Sequence, residues 1–203
     1  MANTTVIKDG AGVDRNLQSI DISSTVRGAV FTQDAAAHPT YRAGGSAFAQ
    51  VTTPTVSFVV KGSATKTVRI KKISIAGAAT AAGTMPVVVA KCSDAGTLGS
   101  AVLTAATAVP LDSSDAAATG VVSTVGTANY GTAPAVIGTI AAGRVCLTAL
   151  STGVGVQPLV FDFTQHAVVL RGILEHLTIA FAGAGIPSGG VLDWSIEWTE
   201  DAS

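Results

Sequence analysis

After residue 53, apolar and polar residues alternate along most of the chain with a period of two, the mark of half-buried β-strands. Over residues 55–61, Val56, Phe58 and Val60 fall on one parity, and Thr55, Ser57 and Lys61 on the other. Gly62-Ser63 then reads as a turn. Residues 66–76 carry a break in the pattern: Val68 and Ile70 share one parity, Ile73 and Ile75 the other. A regular strand would turn one pair out to solvent, whereas a β-bulge at Lys71-Lys72 returns both to the core. A Val-rich strand follows over 86–92. Residues 101–103 and 121–125 have strand composition. Between them, 111–120 reads either as a surface loop or as one helical turn capped by Asp112 or Ser114. Strand composition returns at 136–140, 144–150 and 159–164.

Residues 168–182 carry two patterns. Leu170, Ile173, Leu174 and Leu177 fit a helical face, but Gly172 and the alternation over 177–181 favour two strands parted near Glu175-His176. The glycine-rich stretch 183–190 is a loop. The final strand has the cleanest alternation, with Leu192, Trp194, Ile196 and Trp198 on one side and Asp193, Ser195, Glu197 and Thr199 on the other. About eight strands with turn signals every ten or so residues predict an all-β, jelly-roll-like β-sandwich. Residues 1–50 break the pattern, with scattered apolar positions and Gly10, Gly12, Gly28, Gly44 and Gly45 interrupting any period. They predict an extended N-terminal arm with one or two short strands, and one helical turn over 33–38 that Pro39 stops. The sandwich then occupies 51–203.

Charge is sparse. Of 203 residues, 48% are hydrophobic and 12% charged, and Ala, Gly, Thr, Val and Ser fill the gap. A surface of small, weakly polar side chains suits close packing against neighbours. The net charge of −1 gives no basic surface for nucleic acid. Six basic residues fall between Lys61 and Lys91, while Asp193, Glu197, Glu200 and Asp201 crowd the far end. Each set is either a solvated face or one half of a subunit contact. There is no apolar leader and no run long enough to cross a membrane as a helix, so the reading is cytoplasmic synthesis with no membrane partner. Cys92 and Cys146 suit free, buried thiols in a reducing compartment.

No residue pattern points to chemistry. His38, His166 and His176 lack metal-ligand spacing, and no serine sits in G-x-S-x-G. Glu175 and Glu197 are the pair a glycosidase would need, but nothing brings them together. Loop 183–190 lacks the lysine of a phosphate cradle and leads into a strand, not a helix. No catalytic residue, metal or cofactor is predicted. Trp194 and Trp198 share a face with Leu192 and Ile196 and read as core. Tyr41 and Tyr130 lie in loop-like stretches, free to make contacts.

Six segments together resemble a known group: Lys8-Asp-Gly-Ala-Gly12, Val109-Pro-Leu-Asp-Ser-Ser-Asp-Ala-Ala-Ala-Thr119, Gly143-Arg-Val145, Pro158-Leu-Val-Phe-Asp-Phe163, Val168-Val-Leu-Arg-Gly172 and Ser195-Ile-Glu-Trp-Thr-Glu200. Their order resembles small virion proteins of tailed bacteriophages, most of all capsid decoration (cement) proteins. The resemblance implies a jelly-roll-like protein on the virion's capsid surface. Its partners would be the major capsid protein and further copies of itself, as a dimer or trimer. Lys8, Arg15, Arg27, Tyr41, Arg42, Lys71 and Lys72 are the candidate capsid or subunit contacts. A receptor-binding or fibre-tip module recognising host glycans, and a tail-associated subunit, are the alternatives.

Overall fold

The computed structural model describes residues 4–8, 14–18, 38–49, 56–99, 101–125, 130–149, 157–181, 187 and 189–202, with backbone alone for 4–8, 14–18 and 202. The chain divides into two units, 1–37 and 38–203. In the first, β1 (Thr4–Lys8) and β2 (Asp14–Gln18) pair antiparallel, with Ile7 opposite Arg15.

The described residues of the second unit form twelve strands: β3 (Thr40–Ala49), β4 (Phe58–Lys61), β5 (Lys66–Ala79), β6 (Gly83–Cys92), β7 (Leu103–Ala105), β8 (Val109–Pro110), β9 (Val121–Val125), β10 (Val136–Ala149), β11 (Leu159–Asp162), β12 (Val168–Leu170), β13 (His176–Ala180) and β14 (Val191–Ala202). No described residue is helical. A continuous hydrogen-bonded path runs β7-β9-β4-β13-β6-β10-β5-β14-β3-β8, with β11 and β12 added along β5. The path curls into two layers. Sheet I comprises β8, β3, β14, β5, β11 and β12; sheet II comprises β10, β6, β13, β4, β9 and β7. Strand β10 joins them, pairing antiparallel with β6 along most of its length and parallel with β5 at Thr148 and Ala149. The chain is an all-β, jelly-roll-like sandwich.

The layers meet through large apolar side chains. Phe58 of sheet II packs on Trp194 and Phe48 of sheet I, each with ring centroids 5.0 Å away. Val68, Ile70, Ile73 and Ile75 of β5 are fully buried in the same core. That arrangement needs the bulge expected from the sequence. Glu197 lies opposite Lys72 but Trp198 lies opposite Ile70, so Lys71 is the extra residue that resets the parity. The alternation of β14 also holds, with Leu192, Trp194, Ile196 and Trp198 all buried. The separation of 168–182 into two strands falls where the alternation placed it, ahead of His176.

The sandwich begins earlier than residue 51. Residues 40–49, expected in the arm, form β3 and pair along β14, with Tyr41 opposite Trp198. Two features hide this strand's period. Gly44 and Gly45 carry no side chain, and a Cβ on Gly44 would sit 2.8 Å from the Trp194 carbonyl oxygen. A register shift between Leu192 and Trp194 then adds a residue to β3 near Ala47, which takes φ +54°. The Asp193 carboxylate holds that turn by accepting the Ala47 N–H at 3.0 Å. The strand count exceeds the expected eight because β7, β8, β11 and β12 have only two to four residues each, too few to show a period. The segments 136–140 and 144–150 are parts of one strand, β10, bent by two register shifts. The helical turn expected over 33–38 lies almost wholly outside the described residues. Segment 111–120 is a loop in which Asp112 accepts hydrogen bonds from the Ser114 N–H and hydroxyl.

Candidate interaction surface

The outer face of sheet I carries a row of alternating charge. Arg42 of β3, Glu197 of β14, Lys72 of β5 and Asp162 of β11 sit directly opposite one another across four strands. Arg42 reaches Glu197 at 3.6 Å. Nearer the end of the strands Arg69 pairs with Asp201, which also lies 2.7 Å from His38 Nδ1. Arg69 and Lys72 of the basic stretch therefore meet Asp201 and Glu197 of the acidic far end within one chain, because β5 and β14 are neighbours. Asp162 is held below the usual carboxylate range, first by the Thr164 hydroxyl and N–H and also by Lys72.

The same strand β14 presents a very different acid on its inner side. Glu200 is buried and accepts hydrogen bonds from the Thr119 N–H and hydroxyl, the Gly120 N–H and the Trp198 indole N–H, at 2.7–3.0 Å. Burial pushes its carboxyl up, but these donors outweigh that and hold it below its ordinary value. The carboxylate thereby ties down a strap, residues 106–120, that crosses from sheet II to the edge of sheet I. The Tyr41 hydroxyl donates to the Ala116 carbonyl in the same strap, and its ring stacks on Trp198 at 5.8 Å.

Tyr41 is thus 2% exposed and Tyr130 8% exposed, so neither is free to make outside contacts. Both belong to packed layers that loop-like composition did not reveal. Of the other predicted contacts, Arg42 and Lys72 belong to the charge row and Lys71 is the bulge residue. Lys8 and Arg15 lie on β1 and β2, and Arg27 lies outside the described residues. Trp194 and Trp198 are also buried, so the four Trp and Tyr side chains offer no aromatic platform for a glycan.

Part of the outer face of sheet II, over β4, β9, β13 and the end of β6, is covered. Residues 93–99, Ala101 and 130–135 form a roof, joined by the Thr97–Thr132 bridge and by hydrogen bonds from Gly131 N–H to Leu98 and from Ser93 N–H to Ala135. Asp94 pins both halves by accepting the Gly96 and Ala135 N–H groups at 2.9 Å. Beneath it lies a second small core of Val56, Val59, Ala101, Val125 and Tyr130. Three polar side chains are buried alongside. Cys92 lies opposite His176, and its Sγ is 3.4 Å from the Thr178 hydroxyl. Burial raises the Cys92 thiol and lowers the His176 imidazole, so both are neutral near pH 7. A thiol in that state is a poor nucleophile. Cys146, expected to be buried, is exposed on β10, a strand with only one layer beside it along most of its length.

Strand β10 carries exposed apolar side chains. Val136, Ile137 and Ile140 are 59%, 61% and 41% exposed. Over 136–147 the strand hydrogen-bonds only to β6 among the described residues.

The structure does not bring Glu175 and Glu197 together. Glu175 is bound to Lys91 at 3.0 Å and accepts the Arg171 N–H, while Glu197 pairs with Arg42 on the other sheet's outer face. A surface hollow of about 460 Å³ is lined by Asp162, Phe163, Thr164, Gln165 and His166, all from one loop. Among the described residues no group of three or more His, Cys, Asp or Glu side chains is placed to hold a metal ion. No protein family, curated protein or solved structure matches the chain.

Proposed function

We propose that this chain is a virion structural protein of a tailed bacteriophage that binds the outer capsid surface and stabilises the head. The observation that carries the reading is β10, which combines three exposed branched apolar side chains with hydrogen bonding over 136–147 to β6 alone among the described residues. Exposed branched apolar side chains grouped on one strand suit a site that another protein covers. Its two register shifts twist the edge, and twisted edges resist indefinite strand-to-strand aggregation. A shaped partner, the major capsid protein, fits such an edge better than an endless stack of copies. The resemblance of the six sequence segments to decoration proteins supports the same reading. Decoration acts mechanically: many copies each bury modest area over subunit junctions, and the small contributions sum across the shell.

The test is co-sedimentation with tailed-phage capsids assembled without the protein. Wild type should pellet with capsids, and the Ile137→Lys/Ile140→Lys double variant should bind at least about tenfold more weakly, as expected for apolar anchors at the centre of an interface. Failure of the wild type to bind would sink the decoration role. Full binding by the double variant would move the contact away from β10.

A further inference from the structure

We propose that the roof over sheet II is a lid that mild acid releases through protonation of His176. The side chain sits on the outer face of β13, 3% exposed beneath residues that belong to the roof. Every neighbour that carries or can carry charge can be named. On β4, Lys61 lies directly opposite, and on β6 Cys92 does. From the roof come Asp94 and Tyr130; Asp94 exerts an attraction on the imidazole, and Tyr130 lies close enough to Cys92 to feel its charge. Glu175, one residue earlier, is engaged by Lys91 and the Arg171 N–H.

The imidazole Nδ1 lies 2.8 Å from the Leu174 carbonyl, so that nitrogen carries the proton in both charge states. A second proton must enter at Nε2. It would place a positive charge in a dry site beside Lys61, and burial already makes that state costly. Among the described residues Asp94 is the anion that acts on the imidazole, and its carboxylate is committed to the Gly96 and Ala135 N–H groups that hold the roof shut. Opening lets water reach the imidazolium and separates it from Lys61.

The sign follows. The closed form holds His176 below its ordinary value of about 6.5, so the closed form is fully favoured above that pH. As pH falls below about 6.5, the open form takes up a proton that the closed form refuses. The opening equilibrium then grows about tenfold per pH unit, until the pH passes the closed-state value.

Cys92 reports the event, because it is fully buried under the roof while Cys146 is exposed. In the full chain carrying Cys146→Ser, the rate of Cys92 labelling by dithiodipyridine should rise severalfold between about pH 7 and pH 5, after division by the rate of a free cysteine peptide. Fluorescence of Trp194 and Trp198, both in the main core, should stay constant, distinguishing lid opening from unfolding. His176→Gln should abolish the rise. Lys61→Met, which removes the like charge without touching the imidazole, should shrink it. A rise of equal size in both variants, or no rise in the parent, would overturn the proposal. Because capsid binding plays no part in this readout, its failure and failure of the decoration reading are separate results.

Discussion

The two outer faces of this sandwich solve the same problem in opposite ways. Sheet I leaves its face in water and populates it with charge, alternating in sign from Arg42 to Asp162 across four strands. Sheet II covers the part of its face around β4, β9 and β13, so that Ser57, Val59, Thr178 and Val125 are all buried although they point away from the main core. The difference teaches that strand alternation reports only one interface. On sheet I, β14 reads as a clean apolar-in, polar-out strand. On sheet II, residues 56–60 are buried on both parities, because the roof turns a solvent face into a second core.

The sharpest way to test that contrast uses two glutamates of β14 that face opposite ways. Glu200→Ala should cost about 3 kcal/mol or more in urea unfolding, since it strands the indole of Trp198 and the N–H groups of the strap without an acceptor. Glu197→Ala should change stability by no more than about 0.5 kcal/mol, as for other exposed ion pairs. Equal costs would mean that the strap is not tied by Glu200. A smaller effect is expected at the roof. Gly99 has φ +58°, and a Cβ there would sit 2.9 Å from the Gly131 backbone. Gly99→Ala should therefore cost about 1–2 kcal/mol and speed Cys92 labelling at neutral pH, while the tryptophan signal stays that of the wild type.

Acid should act on both layers in sequence. His176 gives a decline in stability that begins below about pH 6.5, and Glu200 a second one below about 4.3. The second follows because Glu200 is depressed in the fold: its contribution is complete above the unfolded value and disappears as pH falls through the folded one. Urea midpoints over a pH series should resolve the two limbs, and Glu200→Gln should flatten the lower. The smallest change is a gain. Ala47 holds a left-handed conformation on the bare face of sheet I, and Ala47→Gly should raise stability by up to about 1 kcal/mol. A loss there would show that the Asp193 contact already compensates the strain.

Much of the sandwich was legible because its signals are local. The bulge at Lys71 could be read from two apolar pairs on opposite parities, and β14 from its alternation alone. What was illegible depends on partners far away in sequence. Glu200 looks like one of four acids near the end of the chain, and only the fold brings Thr119 and Gly120 to it. Cys92 and His176 become opposite neighbours only once β6 and β13 pair. Tyr41 was misread for a related reason: the glycines that follow it erase the period of β3, although they are what lets that strand approach β14. On β10, neighbouring apolar residues such as Val136 and Ile137 gave strand composition, but composition does not reveal that over 136–147 the strand hydrogen-bonds only to β6 among the described residues.

The place of β14 also bears on how the protein is made. It lies between β3 and β5, so those two earlier strands have no contact with each other until residues 191–202 insert between them. During synthesis, sheet I must wait with two unsatisfied edges while the whole of sheet II emerges and can pair. Topologies that depend on such distant pairings fold slowly and expose strand edges on the way. Strand β14 is the keystone of its layer, so the emergence of residues 191–202, and not that of the earlier strands, sets the moment at which this unit becomes a sandwich.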